Sequence, residues 1–387
     1  MTAGYAATVM DLLPGRPRLL ALGEPTHGED ALLQLRNDLF RQLVEDEGYR
    51  TLTIESDCLM GLVVDGYVTS GAGGLDDVME RGFSHGWGAY QGNRDLVRWM
   101  RGYNDGRPGP EQVRFAGFDG PLEMAAAASP REVFAALHGY LAARVDAGLL
   151  PCTAATLDEL IGEDGQWTDP AVMWDPAKSV GRSPDAVRLR LLADELVAAL
   201  DEQTPQLIPE SRESGDREGW NRARLYARTV TGLLRYHHWM ADTSPDRLAR
   251  LCAARDSMMA ANLLAIEGPA LAHGHNGHLQ RVRSEMRMGG ALLRWWGAGA
   301  IVSAHLGEQY GFVATAVGTI RHRGVDVPAP DTVEGMLYAS PRQRRVVDAR
   351  RFAGLELTAR HSPWFGYAPL DPAHVDRADG IAFVREC

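Results

Sequence analysis

Residues 19–28 read LLALGEPTHG. An apolar run stops at Gly23, and directly behind it come a carboxylate, Glu24, an imidazole, His27, and a second glycine, Gly28. The run has the length and composition of a buried strand, with Pro25 and the glycines shaping a turn at its carboxyl end. The next stretch, EDALLQLRNDLFRQLVEDEGYR, places Leu32, Leu35, Leu39 and Leu43 on helical spacing and offers Gly48 as a stop. RTLTIES at 50–56 is a second apolar run. Strand, helix and strand within about 40 residues have the size of a βαβ unit. The first two strands are therefore expected to pair in parallel.

Further strand-like runs follow at 113–119 (VRFAGFD), 269–275 (PALAHGH), 311–319 (GFVATAVGT) and 380–386 (GIAFVRE). Between the third and the fourth the texture changes. Residues 121–262 are dominated by Ala, Leu and Arg, as in DAVRLRLLADELVAALDEQ at 185–203, and read as an inserted helical region. The polar IPESRESGDREGWN at 208–221 reads as an exposed loop. The expected fold class is α/β, with a central, mostly parallel sheet flanked by helices.

Composition sets outer limits. Of 387 residues, 45% are apolar and 24% charged, which fits a globular chain with a sizeable core. The net charge of -11 disfavours nucleic acid and anionic membrane surfaces as partners and leaves a small-molecule substrate. Lys178 is the single lysine, a bias that carries no chemistry. Cys58, Cys152, Cys252 and Cys387 are scattered without a C-x-x-C pair, which argues against a zinc knuckle or a disulfide framework. The opening residues lack the pattern of a secretion signal, and ALLRWWGAGAIVSAHLG is interrupted by Arg294. A cytoplasmic location is expected.

Chemistry gathers at strand ends, where open α/β sheets place their ligands. The first strand delivers Glu24 and His27, the second Glu55, the third Asp119, and the fourth His273, His275 and His278. Singly, each has an ordinary explanation: a helix cap for Glu24 or Glu55, a turn for Asp119, a satisfied structural histidine for His278. Together they point to a cleft. A histidine oriented by glutamates is a good general base, and a second histidine can stabilise charge on a carbonyl oxygen. No G-x-S-x-G elbow and no activated thiol motif is present, so water is the more natural nucleophile. Glu24/His27 and His275/His278 have spacings that suit metal ligation, but Pro25 and Gly277 argue for loops rather than one helical face. The doubled His237–His238 reads as structural.

These segments resemble the erythromycin esterase family. The likeness runs through 22–56 (LGEPTHGEDALLQLRNDLFRQLVEDEGYRTLTIES), GNRDLVRWMRGYN, VRFAGFDG, ARDSMMAANLL, HGHNGHL, LGEQYGFVATAV and DGIAFVRE. It covers nearly the whole chain, which implies a single domain over 1–387 with the helical insertion at about 121–262 lying over an active-site cleft. Known members open macrolide lactones, with roles in antibiotic resistance, and others are assigned to polysaccharide biosynthesis. The resemblance implies that His27 activates water, that Glu24 and Glu55 orient and polarise it, and that Arg36, His275 and His278 hold the substrate or its developing charge. It also implies that no metal or other cofactor is required. Two departures stand out: FSHGWGAYQGNRD replaces the usual approach to the following helix and adds His85, and HGHNGH carries an additional His273. His85, from that loop, and Asp119, from the end of the third strand, are expected to contact substrate. The expected activity is hydrolysis of an ester or lactone in a medium-sized natural product. One alternative is a non-hydrolytic cyclisation, elimination or rearrangement by the same acid–base set in secondary metabolism; another is a binding protein without turnover.

Overall fold

The computed structural model describes residues 4–123, 126–288 and 290–387; residues 1–3, 124, 125 and 289 lie outside the description. Its main sheet has seven strands: β1 (Leu19–Glu24), β2 (Thr51–Asp57), β3 (Arg114–Asp119), β4 (Ala270–His275), β5 (Tyr310–Thr319), β6 (Arg344–Asp348) and β7 (Gly380–Glu386). The order across the sheet is β6-β7-β5-β1-β4-β2-β3. β1 pairs in parallel with β4 and β5, β4 with β2, and β5 with β7; β6, on the edge, runs antiparallel to its neighbour β7. The α/β class with a mostly parallel sheet is thus the observed one.

The six strands read from the sequence agree to within one residue at each end. β6 escaped that reading because RRVVD is short and carries two arginines, as suits a half-buried edge. One expectation is corrected: β1 and β2 are not neighbours. β4 lies between them, with Leu22 and Ile54 both opposite His273. The intervening strand comes some 200 residues later, so no local pattern announces it.

The chain divides into two compact units, one of residues up to Phe118 together with Leu263–Cys387, the other Asp119–Asn262. The first holds the sheet. β1 is buried at every position, as expected for a central parallel strand covered on both faces. Leu32, Leu35, Leu39 and Leu43 of the helix Asp30–Asp46 pack in one core with Leu20, Leu22, Ile54 and Val313. Burying each such leucine contributes about 1.5–3 kcal/mol.

The second unit is helical, with its longest elements at Pro184–Glu202 and Arg217–Met240. Leu233, Tyr236, Met240, Leu251 and Met258 share a core there, and Gly232 lets Met258 approach so closely that a Cβ would meet its Cγ at 2.3 Å. The stretch expected as an exposed loop at 208–221 is mostly helix: Thr204–Glu213 and Arg217–Met240 leave only three residues between them. Pairs four apart support it, Gln206 with Glu210 at 2.9 Å and Arg222 with Glu218, and Asp216 caps the second helix by accepting from the Gly219 N–H at 2.9 Å. No helix among the described residues is long and apolar enough to cross a membrane.

Candidate active site

Glycines make room where β1, β2 and β4 end. A Cβ on Gly274 would meet the Glu55 side chain at 2.9 Å, so β4 can pass Glu55 only without one. At Gly23 a Cβ would lie 2.1 Å from Asn276 Oδ1. Asn276 needs that space to reach β5, where its side chain donates to the Thr315 carbonyl at 2.9 Å and accepts from the Thr315 N–H at 3.1 Å. A side-chain amide thereby extends the pairing along β5 beyond Val313, where its register with β1 ends. The turn after β1 is held from another direction by Ala368, whose N–H donates to the Pro25 carbonyl at 2.8 Å. Gly28, at φ 83°, lies close against the Tyr90 ring.

This framework brings Glu24, His27, Glu55, His275 and His278 together. His27 Nδ1 stands 2.7 Å from Glu24 Oε1. An ionised carboxylate only accepts, so the contact keeps a proton on Nδ1 and leaves Nε2 as the free base. Nε2 is 3.9 Å from Glu55 Oε1, which also lies 3.4 Å from His278 Nε2. The other oxygen, Glu55 Oε2, accepts from the His275 backbone N–H at 2.7 Å. The His27 and His275 rings are 5.4 Å apart, centre to centre.

The two imidazoles differ in character. Burial pulls His27 toward neutrality, but Glu55 and Glu24 outweigh it and raise its pKa above the usual value. Burial pulls His275 down to about 4, and a charged His27 pushes the same way. His275 Nδ1 accepts from the Gly277 N–H at 3.1 Å, so its single proton sits on Nε2. His275 is thus a neutral donor beside a carboxylate-backed base. Burial alone would raise the Glu24 carboxyl, yet His273 and His27 hold it well below the usual carboxylate range.

The other expected residues have varied surroundings. Arg36 is 1% exposed, and its guanidinium donates to Asn37 Oδ1 at 2.8 and 3.0 Å and to Asn93 Oδ1 at 2.9 Å. Burial lowers it to about 10, offset in part by Glu24, so it remains a cation in the interior. Asn93 in turn donates to the Trp87 carbonyl at 2.9 Å. Arg36 therefore braces the segment that carries Trp87, whose ring lies 5.0 Å from that of His27. His85, at φ 57° in the left-handed region, sets its ring 5.7 Å from Trp87. Ser84 fastens this segment to β2, accepting from the Asp57 N–H at 2.9 Å. Asp119 belongs to the helical unit and is fully buried; Arg255 donates to it at 2.6 and 3.0 Å and the Gly120 N–H at 2.8 Å, so its carboxylate is already engaged. Among the described residues, no group of three or more His, Cys, Asp or Glu is arranged to hold a metal ion.

Sequence reading did not find Trp87, Asn93 or Asn276, because a core tryptophan and a structural amide carry no pattern of their own. It also left out His322, whose Nε2 lies 3.2 Å from the buried Glu29, two residues beyond His27.

No curated protein sequence matches the chain significantly. Three solved structures share the fold. A Bacillus cereus protein aligns with a TM-score of 0.67 at 19% identity, over 96% of this chain and 89% of its own. A succinoglycan biosynthesis protein gives 0.62 at 14%, over 96% and 88%. A mutant of the erythromycin esterase EreC in its open conformation gives 0.68 at 16%, over 98% and 92%. The erythromycin esterase family model matches residues 44–385, a span that includes Glu55, His275 and His278 and begins after Glu24, His27 and Arg36. By that match over most of its length, the chain belongs to the erythromycin esterase family.

Proposed function

We propose that this protein is a hydrolase that opens an ester or lactone of a medium-sized, macrolide-like natural product, with His27 as the general base. Family membership supports ester hydrolysis. The observation that carries the mechanism is the pairing of unlike imidazoles: His27 hydrogen-bonded to Glu24 at 2.7 Å, and His275 kept neutral with its proton on Nε2. Two titratable groups pushed apart by their surroundings mark the base and the electrophile.

In this reading His27 Nε2 takes a proton from water as oxygen attacks the carbonyl carbon. Glu24 and Glu55 stabilise the imidazolium that forms. His275 donates from Nε2 to the developing oxyanion, His278 helps position the carbonyl, and the imidazolium returns its proton to the leaving alcohol. His85 and Trp87 offer ring surface to the substrate. Arg36 acts at a distance, as the buried cation behind Glu24 and the brace of the Trp87 segment. No step calls for a metal or other cofactor.

The alternative, proton transfer without water entering the product, calls for a dry site. The His27 side chain is 36% exposed, which favours hydrolysis. Turnover in ¹⁸O-labelled water tests the choice: hydrolysis must leave label in the carboxylate product, and an unlabelled product would overturn it. A panel of macrolide and smaller lactones, assayed by mass spectrometry, supplies the substrate.

A further inference from the structure

His273 is the one imidazole at these strand ends that the mechanism above does not use. It is 2% exposed, on β4 between β1 and β2. Its Nδ1 lies 3.1 Å from the Leu22 carbonyl, and its Nε2 lies 3.2 Å from Glu24 Oε2. That second approach is poorly aligned for a hydrogen bond, and neither atom has another hydrogen-bond partner among the described residues.

Both neighbours of the ring are acceptors, and this decides its state. A neutral imidazole has one N–H and one lone pair. With the proton on Nδ1, the lone pair of Nε2 faces a carboxylate. With the proton on Nε2, the lone pair of Nδ1 faces a carbonyl oxygen. Only the doubly protonated ring offers a donor to each. A proton on Glu24 Oε2 would relieve the conflict too, but Glu24 also faces Nδ1 of His27, and Arg36, His275 and the Cys387 thiol lie within its electrostatic reach. Two of these neighbours, His27 and Arg36, favour the anion.

We propose that His273 is a positioning residue that holds a buried proton against Glu24, as an imidazolium, and thereby limits how strongly that carboxylate acts on His27. The chain is then His273, Glu24, His27, with one carboxylate shared between a permanent cation and a working base. A lone Glu24 would grip the His27 proton more tightly and make His27 a base that is spent at neutral pH. Shared with His273, Glu24 still fixes the His27 ring while releasing it to cycle. Glu55, His278 and His275 also bear on His27 and are unchanged by this device.

The inference rests on the reading of His27 as the base, yet its test needs no substrate. Protein labelled with ¹⁵N in the histidine rings is titrated by NMR over roughly pH 6–9, with His273 assigned through its side-chain carbons. Both ring nitrogens of His273 should stay protonated across that range; a bare nitrogen at neutral pH overturns the proposal. In His273→Asn, which keeps a donor for the Leu22 carbonyl, the His27 midpoint should rise by about one pH unit. An unmoved midpoint in a folded variant also overturns it, and if the variant does not fold the wild-type measurement decides. A failed ester assay would instead remove the hydrolase reading and leave these titrations standing.

Discussion

His237 in the helical unit and His27 after β1 are both imidazoles packed against a tryptophan, and they titrate in opposite directions. His237 meets Trp167 at 4.9 Å, centre to centre, and His27 meets Trp87 at 5.0 Å. The His237 ring meets the Ala128 carbonyl at 2.8 Å from Nε2, and burial takes it down to about 4. His27 has two carboxylates and is raised. Burial and an aromatic neighbour therefore make a silent histidine. Carboxylates fixed by strand ends raise it instead. The same contrast separates Glu24, shared between imidazoles, from Asp119, closed by a bidentate arginine.

The largest expected effect is at the base. His27→Ala should lower kcat by ~10²–10⁴-fold while circular dichroism and melting stay near wild type. Near-normal turnover would erase the contrast with His237. Next is the silent counterpart: Asp119→Asn removes a fully buried carboxylate to which Arg255 donates, and should destabilise the fold by about 3 kcal/mol in denaturant titration. A rise in KM without that loss would mean that Asp119 meets substrate instead. Glu55→Gln should lower kcat by about tenfold to a hundredfold. Because Glu55 is the main influence raising His27, the acid limb of the pH profile should also move to lower pH, as followed in kcat/KM.

The smallest effect concerns His237 itself. Its folded pKa, about 4, is below the ordinary imidazole value of 6.5, so between these the unfolded chain binds the extra proton. Stability from keeping it neutral is complete above the unfolded pKa and is lost as pH falls through that window, by at most about 1.4 kcal/mol per pH unit. His237→Asn should flatten the acid side of the stability curve by that one proton, measured by denaturant unfolding at several pH values.

Much of this was legible in the residues. Apolar runs gave six strands because buried parallel strands have no polar alternation to blur them. GEPTHG and HGHNGH singled out Glu24, His27, His275 and His278, which the structure brings together, because polar groups at strand ends stand out against apolar neighbours. The rest depends on distance in the chain. Nothing near Leu22 shows that His273 faces it, and nothing near Arg36 shows that Asn37 and Asn93 take up its guanidinium. The loop expected at 208–221 failed for a different reason: side-chain pairs four residues apart support helix, while its composition resembles a turn.

The placement of β1 bears on how the protein is made. Leu19 pairs with Ala270 on one side and Tyr310 on the other, partners about 250 residues or more downstream. A ribosome emits the first strand long before either flank exists. The nascent segment must wait, sticky and unpaired, while about 250 further residues are made, so its maturation should be slow and should gain from a chaperone that shields it.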